Sequence, residues 1–300
     1  MSAPRTRHKL LKARIDRFTR LLHGVAQGDV RAIHRTRVAS RRLRELLPML
    51  QLDGNTAERL AARLRTITRQ LGEVRELDVL LGVVDELHAS DGASKRVLGQ
   101  IGGVIRLSRE HAREKHVGKP LIAELHRIAR KLAAAADALE KREDDAPRQR
   151  AWRLASEARV ARRAETLREA IVEAGAIYIP ERLHTVRIAL KKFRYAVEVE
   201  QEASRHERPA ELRVLKRGQD LLGRMHDLQV LIDTARTTQA GVNTPSVAAW
   251  REYDALVTRL ERECRELHAR YVRERIAIAA LAEKRAAKAP RDKHAGKRAG

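Results

Sequence analysis

The string Ile33–Arg44, IHRTRVASRRLR, returns 150 residues later as Leu183–Arg194, LHTVRIALKKFR. A second pair follows in the same order: Leu71–Leu80, LGEVRELDVL, aligns with Leu222–Leu231, LGRMHDLQVL, with the offset slipped by one residue. Two blocks in one order at one offset read as an internal duplication. Whatever unit the first half builds, the second is then expected to build again. Apolar residues recur at spacings of three and four through nearly every segment, and no stretch sustains the alternation of a strand. The expectation is an all-α fold of two four-helix bundles related by pseudo-twofold symmetry.

Breakers and caps divide this pattern. A first helix runs from Arg5 to His23 and is broken by Gly24 and Gly28; Asp29 caps a second, reaching about Leu50. After the Asp53-Gly54-Asn55 turn, a long helix runs from Thr56 to about His88, and another beyond Asp91-Gly92 to about His116. Gly118-Lys119-Pro120 precedes a helix over Leu121–Lys141. Polar residues around Glu143-Asp144-Asp145-Ala146-Pro147 read as a linker. Further helices are expected near Trp152–Ala174, Glu181–Ala203, Pro209–Thr237 and Ser246 to about Arg285. The division is a first half at 5–141, a linker at 142–150, a second half at 151–283 and a basic, disordered tail at 284–300.

Charge says most about partners. The 300 residues hold 63 Lys and Arg against 40 Asp and Glu, a net charge of +23. Aromatics are only 3%, too few for a base-stacking platform or an aromatic-lined pocket. Cys264 stands alone, which excludes an intramolecular disulfide and any cysteine-based zinc cluster. No apolar run reaches the roughly 18 residues of a membrane span. Met1–Leu11 lacks the apolar core of a signal peptide. A cytoplasmic protein that seeks polyanions is expected.

On a wheel of about 100° per residue, Ala32, Thr36, Ala39, Leu43, Leu46, Leu47 and Leu50 share one face of the second helix. His34, Arg37, Arg41 and Arg44 form a stripe on the other. In the second half Val186, Leu190, Phe193 and Val197 mark the buried side, and His184, Arg187, Lys191 and Arg194 rebuild the stripe. Arg42 and Lys192 flank it equivalently. On the following helices Arg65, Gly72 and Arg75 are matched by Lys216, Gly223 and His226.

A solvated face ordinarily mixes signs, with Glu four residues before Lys or Arg. Four cations at i, i+3, i+7 and i+10 instead repel one another by about a few tenths of a kcal/mol per pair. Both halves carry that cost, and a bound polyanion would offset it. A heptad advances about 10 Å, so each stripe presents a cation roughly every 5 Å, a spacing suited to successive phosphates. His34 and His184 head the stripes, either touching phosphate or holding neighbouring side chains in place. Gly72 and Gly223 stand mid-helix at a cost of about 1 kcal/mol each relative to Ala, for which close helix packing is the first explanation and close ligand approach the second.

At these residues the chain resembles the CHAD family, the conserved histidine α-helical domain. The blocks that carry the resemblance are HRTRVASRRLRELL at His34–Leu47, LGEVRELDVLL at Leu71–Leu81, LHTVRIALKKFRYAVE at Leu183–Glu198 and LLGRMHDLQVLI at Leu221–Ile232. The resemblance spans about residues 5 to 283. It implies two four-helix bundles with basic residues lining a groove or pore, binding of inorganic polyphosphate, and targeting to polyphosphate granules. It points to His34, Arg37, Arg41, Arg42, Arg44 and Arg75, and to His184, Arg187, Lys191, Lys192, Arg194 and His226. Glu76 stands where the family often has Asp. His226 opposite Arg75 implies that the halves contribute unequally.

Competing chemistries find little. The family's frequent companion, a CYTH triphosphatase domain, needs an alternating Glu-x-Glu-x-Lys on a strand. The nearest string, Glu198-Val199-Glu200-Gln201-Glu202, is expected on a helix. A di-iron bundle needs paired Glu-x-x-His motifs. Glu181 with His184, and Asp85 with His88, do not occupy equivalent positions. No P-loop, nucleophile elbow or HExxH motif occurs. No cofactor, metal or catalysis is expected. The rival reading is a nonspecific nucleic-acid-binding protein, for which the basic tail would add weak affinity.

Overall fold

In a computed structural model of the chain, residues 6–90, 94–142, 146–204, 208–241 and 246–288 are described. They are helical throughout, with no strand among the described residues. The first half contains α1 (Arg7–Thr19), α2 (Leu22–Ala26), α3 (Val30–Leu46, continued by a 3-10 turn at Leu47–Met49), α4 (Thr56–Ala89), α5 (Lys95–His116) and α6 (Lys119–Glu140). Then come α7 (Ala146–Ala174), α8 (Pro180–Ser204), α9 (Pro209–Ala240) and α10 (Val247–Ala286).

The local signals act as their chemistry requires. The Asp29 side chain accepts from the Ala32 N–H at 2.6 Å, satisfying one orphan donor at the start of α3. Ser246 caps α10 in the same way, accepting from Ala249 N–H at 3.2 Å. Gly54 turns the chain at φ 52° before α4, in the left-handed region where glycine is at ease. Gly24, expected as a breaker, instead lies within α2. The linker expected at 142–150 is shorter: Glu143, Asp144 and Asp145 lie outside the described residues, and α7 has already begun at Ala146. Pro147 fits there because the first turn of a helix needs no N–H from it.

Two apolar cores hold the helices. One gathers α1–α3, α6 and the first part of α4, with Trp152, Val199 and Ala203 closing it. The other gathers α7–α10 with Leu80–Leu87 of α4 and Val97–Ile105 of α5. At about 1.5 Å per residue, α4 is long enough to serve both. So the end of α4 and much of α5 pack into the core formed mainly by the second half, and the cores do not part at the linker.

Between the cores, α3 and α8 pack against each other. Buried charges fix their register. Glu198 of α8 accepts from Arg42 of α3 at 3.0 Å and from Arg194 at 2.7 Å. Glu45 of α3, 6% exposed, is clasped by Arg159 at 3.0 Å and Arg163 at 2.8 Å from α7. The acidic string on α8 is helical, and its carboxylates are structural: Glu200 holds Arg285, and Glu202 holds Arg14.

That pairing corrects one expectation. Lys284, Arg285 and Ala286, expected in the disordered tail, complete α10. Arg285 is 3% exposed and lies 2.6 Å from Glu200 and 3.1 Å from Glu211. A run poor in apolar residues is anchored here by an ion pair, a contact that hydrophobic periodicity does not report. Residues 289–300 of the expected tail lie outside the described residues.

Candidate functional site

Beyond its exposed head at His34, the α3 stripe does not face open water. Turned toward α4 and α8, it lines a cavity of about 390 Å³. Arg37, Arg41 and Arg44 come from α3, Arg65 and Gly72 from α4, and Arg187, Lys191 and Lys192 from α8. Thr68, Arg69, Glu73, Glu76 and Tyr195 complete the lining with Glu45 and Ile188. An adjoining cavity of about 720 Å³ shares Arg44, Glu45 and Arg65 and adds Arg159 and Arg163. The basic surface therefore continues toward α7.

Arg37 sits deepest, 7% exposed, and donates through Nη1 to the Thr68 carbonyl at 3.1 Å. Gly72 makes this possible, because a Cβ there would collide with the Arg37 guanidinium. The close approach that glycine was expected to serve is thus that of an arginine of the neighbouring helix. At Gly223 a Cβ would meet nothing within 4 Å. Helix packing does not explain that residue.

The groove is electrostatically unbalanced. Burial, followed by Arg187 and Arg41, pushes the Lys191 ammonium down to about 7, with Asp227 opposing. Burial and Arg41 bring Arg37 down to about 10. Arg187 and Arg44 are lowered mainly by burial. Lys192 is lowered by burial and then by Arg163. Arg187 Nε is buried without an acceptor. Arg41, Arg187 and Lys191 make no ion pair among the described residues. Glu76 lies 4.0 Å from Arg37 and is largely exposed, and the half-buried Asp227 attracts Arg187 and Lys191 without an ion pair to either among the described residues.

The histidines do something other than line this cavity. Arg75 Nε donates to His34 Nδ1 at 3.1 Å. His34 Nδ1 is then an acceptor, so its proton sits on Nε2. Burial, then Arg75, Arg37 and Arg41, hold its pKa below the usual histidine range. His184 Nδ1 lies 3.3 Å from His226 Nδ1, their rings 4.7 Å apart, so one donates and the other accepts. Burial and Arg187 push His226 down to about 4. The pairs His34–Arg75 and His184–His226 join corresponding positions of the repeated blocks.

Of the residues singled out from the sequence, Arg37, Arg41, Arg44, Arg65, Arg187, Lys191 and Lys192 meet in the groove. His34, Arg75, His184 and His226 form the two side-chain pairs just described. Arg42 and Arg194 converge on Glu198, and Arg194 also donates to Gln219 at 2.8 Å. Lys216 is exposed on α9 and pairs with Asp220 at 2.5 Å, one turn along its own helix. Nothing from α9 lines the groove, while α4 forms one wall. Arg69, Thr68 and the Glu45 clasp carried no signal in the repeat, because each depends on which face of α4 or α7 turns inward. Among the described residues no cluster of three or more His, Cys, Asp or Glu could hold a metal ion. No helix among them is long and apolar enough to cross a membrane.

The depressed pKa of Lys191 has a consequence for stability. Its folded value, about 7, lies below the ordinary 10.5. Between these values the unfolded chain binds more protons, so stability rises with pH across that window. The cost is complete below about 7 and gone above 10.5. Chemical denaturation at pH 7 and pH 9.5 is expected to show a larger gain for wild type than for Lys191→Met. Equal gains would overturn the assignment.

Comparison with known proteins completes the description. The CHAD domain family matches residues 9–236. The crystal structure of the CHAD domain from the plant Ricinus communis is similar over 92% of this chain and 90% of that one, with a TM-score of 0.61 and 19% identity. PptA from Streptomyces chartreusis is similar over 96% of this chain and 99% of that one, with a TM-score of 0.57 and 20% identity. Among curated proteins none matches. At such identities the likeness to solved structures shows a shared fold, and the family match spans most of the sequence. The chain belongs to the CHAD domain family.

Proposed function

We propose that this protein binds inorganic polyphosphate along the α3–α4–α8 groove without chemically altering it, and that this binding targets it to polyphosphate granules in the cytoplasm. The carrying observation is the trio Arg41, Arg187 and Lys191, which make no ion pair among the described residues, with Lys191 driven to about 7 by burial and by Arg187 and Arg41 against the pull of Asp227. A fold that desolvates and crowds positive charge is destabilised unless an anion arrives. A chain of phosphates supplies one oxyanion after another to guanidinium forks and a mobile ammonium. Family membership supports the same ligand. An incoming polyanion should raise the Lys191 pKa, so binding above pH 7 draws protons from solution.

The test is calorimetric titration with long-chain polyphosphate, single-stranded RNA and duplex DNA at near-physiological salt. Strong binding to polyphosphate and weak binding to both nucleic acids is the expected result. Log affinity should fall linearly and steeply with log salt, as counterions are released along the polymer. A flat salt response would instead indicate a small specific ligand. Comparable affinity for all three polymers would place the protein among nonspecific nucleic-acid binders, driven by its net charge of +23.

A further inference from the structure

A second cavity lies on another flank of α3 and shares no lining residue with the groove. It measures about 650 Å³ and is lined by Arg14, Arg17 and Arg20 at α1, by His34, Arg35 and Arg42 of α3, and by three apolar residues. Among the described residues no carboxylate lines it.

We propose that this cavity is a separate site for a compact inorganic phosphate group bearing at least two ionised oxygens, with Arg14 at its base.

Arg14 carries the argument. Its side chain is 5% exposed, and only Nη2 is engaged, by Glu202 at 3.0 Å. Nε and Nη1 are buried without an acceptor among the described residues. Buried donors are rarely left unmade, because each costs the desolvation of a polar group. Arg285, equally buried, shows the alternative: two carboxylates satisfy it. The macrodipole accounts for Arg17 and Arg20, since cations are favoured where α1 ends. It does not account for a buried guanidinium with two idle donor nitrogens beside a cavity lined by four further arginines. A phosphate group would supply the missing acceptors and the missing negative charge together.

The probe is sodium pyrophosphate, titrated calorimetrically into protein carrying Arg41→Ala, Arg187→Ala and Lys191→Ala, so that the groove does not contribute. Binding is expected to persist there and to weaken at least tenfold when Arg17→Ala, Arg20→Ala and Arg35→Ala are added. Those three side chains are exposed, so their removal leaves the fold intact, whereas an Arg14 variant risks unfolding. Removing three exposed arginines of α10 instead (Arg265, Arg270 and Arg273) matches the charge lost and should leave binding unchanged. Absence of pyrophosphate binding in the groove-deleted protein, or equal loss with the α10 control, would overturn the site. Repeating the titration on the groove-deleted protein with long-chain polyphosphate in excess identifies the natural source. Blocked pyrophosphate binding means that chain ends fill the site, and persistent binding means a free small phosphate does. With the groove deleted in every arm, neither result depends on whether the groove binds the polymer.

Discussion

Replacing Arg41, Arg187 and Lys191 by alanine should weaken long-chain polyphosphate binding about 100-fold or more, while the melting temperature holds or rises. Hydrogen bonds to charged groups contribute about 1.5 kcal/mol or more each, and three of them exceed the roughly 2.7 kcal/mol that a 100-fold change represents. On the stability side, none of the three makes an ion pair among the described residues, and burial lowers the pKa of both Arg187 and Lys191. Alanine therefore removes desolvated charges and their mutual repulsion without breaking an ion pair among the described residues, against which stands only the lost attraction of Arg187 and Lys191 for Asp227. Arg37 is left out because its guanidinium fills the space over Gly72 and holds the Thr68 carbonyl. Arg194 and Arg42 are left out because they brace α3 against α8 through Glu198. Unchanged polyphosphate affinity in the folded triple variant would remove the groove from consideration. A fall in melting temperature would overturn the reading that these charges are held at a cost to the fold.

This separation of binding from stability shows where reading the sequence worked. Helix boundaries followed from caps and breakers that act within a few residues: Asp29 before α3, Gly118 with Pro120 at the start of α6, Ser246 before α10. Each of these is local chemistry, so it was legible. The cationic stripes were legible for the same reason, since helical geometry alone places residues 34, 37, 41 and 44 on one side. The tertiary environment of those stripes was not. Wheel geometry puts a charge opposite the core without telling whether that side meets water or another helix, and Arg37 proved nearly as buried as the leucines.

The repeat also led unevenly. Corresponding residues do meet in corresponding ways at His34 with Arg75 and at His184 with His226. Yet Arg65 and Gly72 line the groove while their counterparts Lys216 and Gly223 do not. One-sidedness of this kind arises from packing: α4 reaches across both cores, whereas Gly218 on α9 receives Ile278 of α10. Long-range ion pairs were the least legible class of contact. Glu45 with Arg159 and Arg163, or Arg14 with Glu202, join helices far apart in sequence, and nothing in either local pattern specifies the partner.

Arg285 gives the largest expected effect on the fold. Arg285→Met leaves Glu200, 4% exposed, with only the more distant Arg208 at 3.7 Å among the described residues. Breaking a buried pair by removing one partner costs about 3–5 kcal/mol, because the remaining charge stays desolvated. Denaturant unfolding should report a loss in that range. The double variant Glu200→Gln with Arg285→Met should recover most of it, since the buried Glu200 charge is removed with its partner and Glu211 keeps Arg208 at 3.6 Å. A single variant as stable as wild type would show that the pair contributes nothing. The same geometry decides where the C-terminus can be cut. Truncation after Ala282 deletes Arg285 and would confound any binding result with destabilisation. Truncation after Lys288 keeps the pair and removes Arg291, Lys293, Lys297 and Arg298. That shorter chain should be as stable as wild type and bind polyphosphate within about threefold, a difference under 1 kcal/mol. A loss much greater than threefold would transfer the main binding role from the groove to the terminal cations.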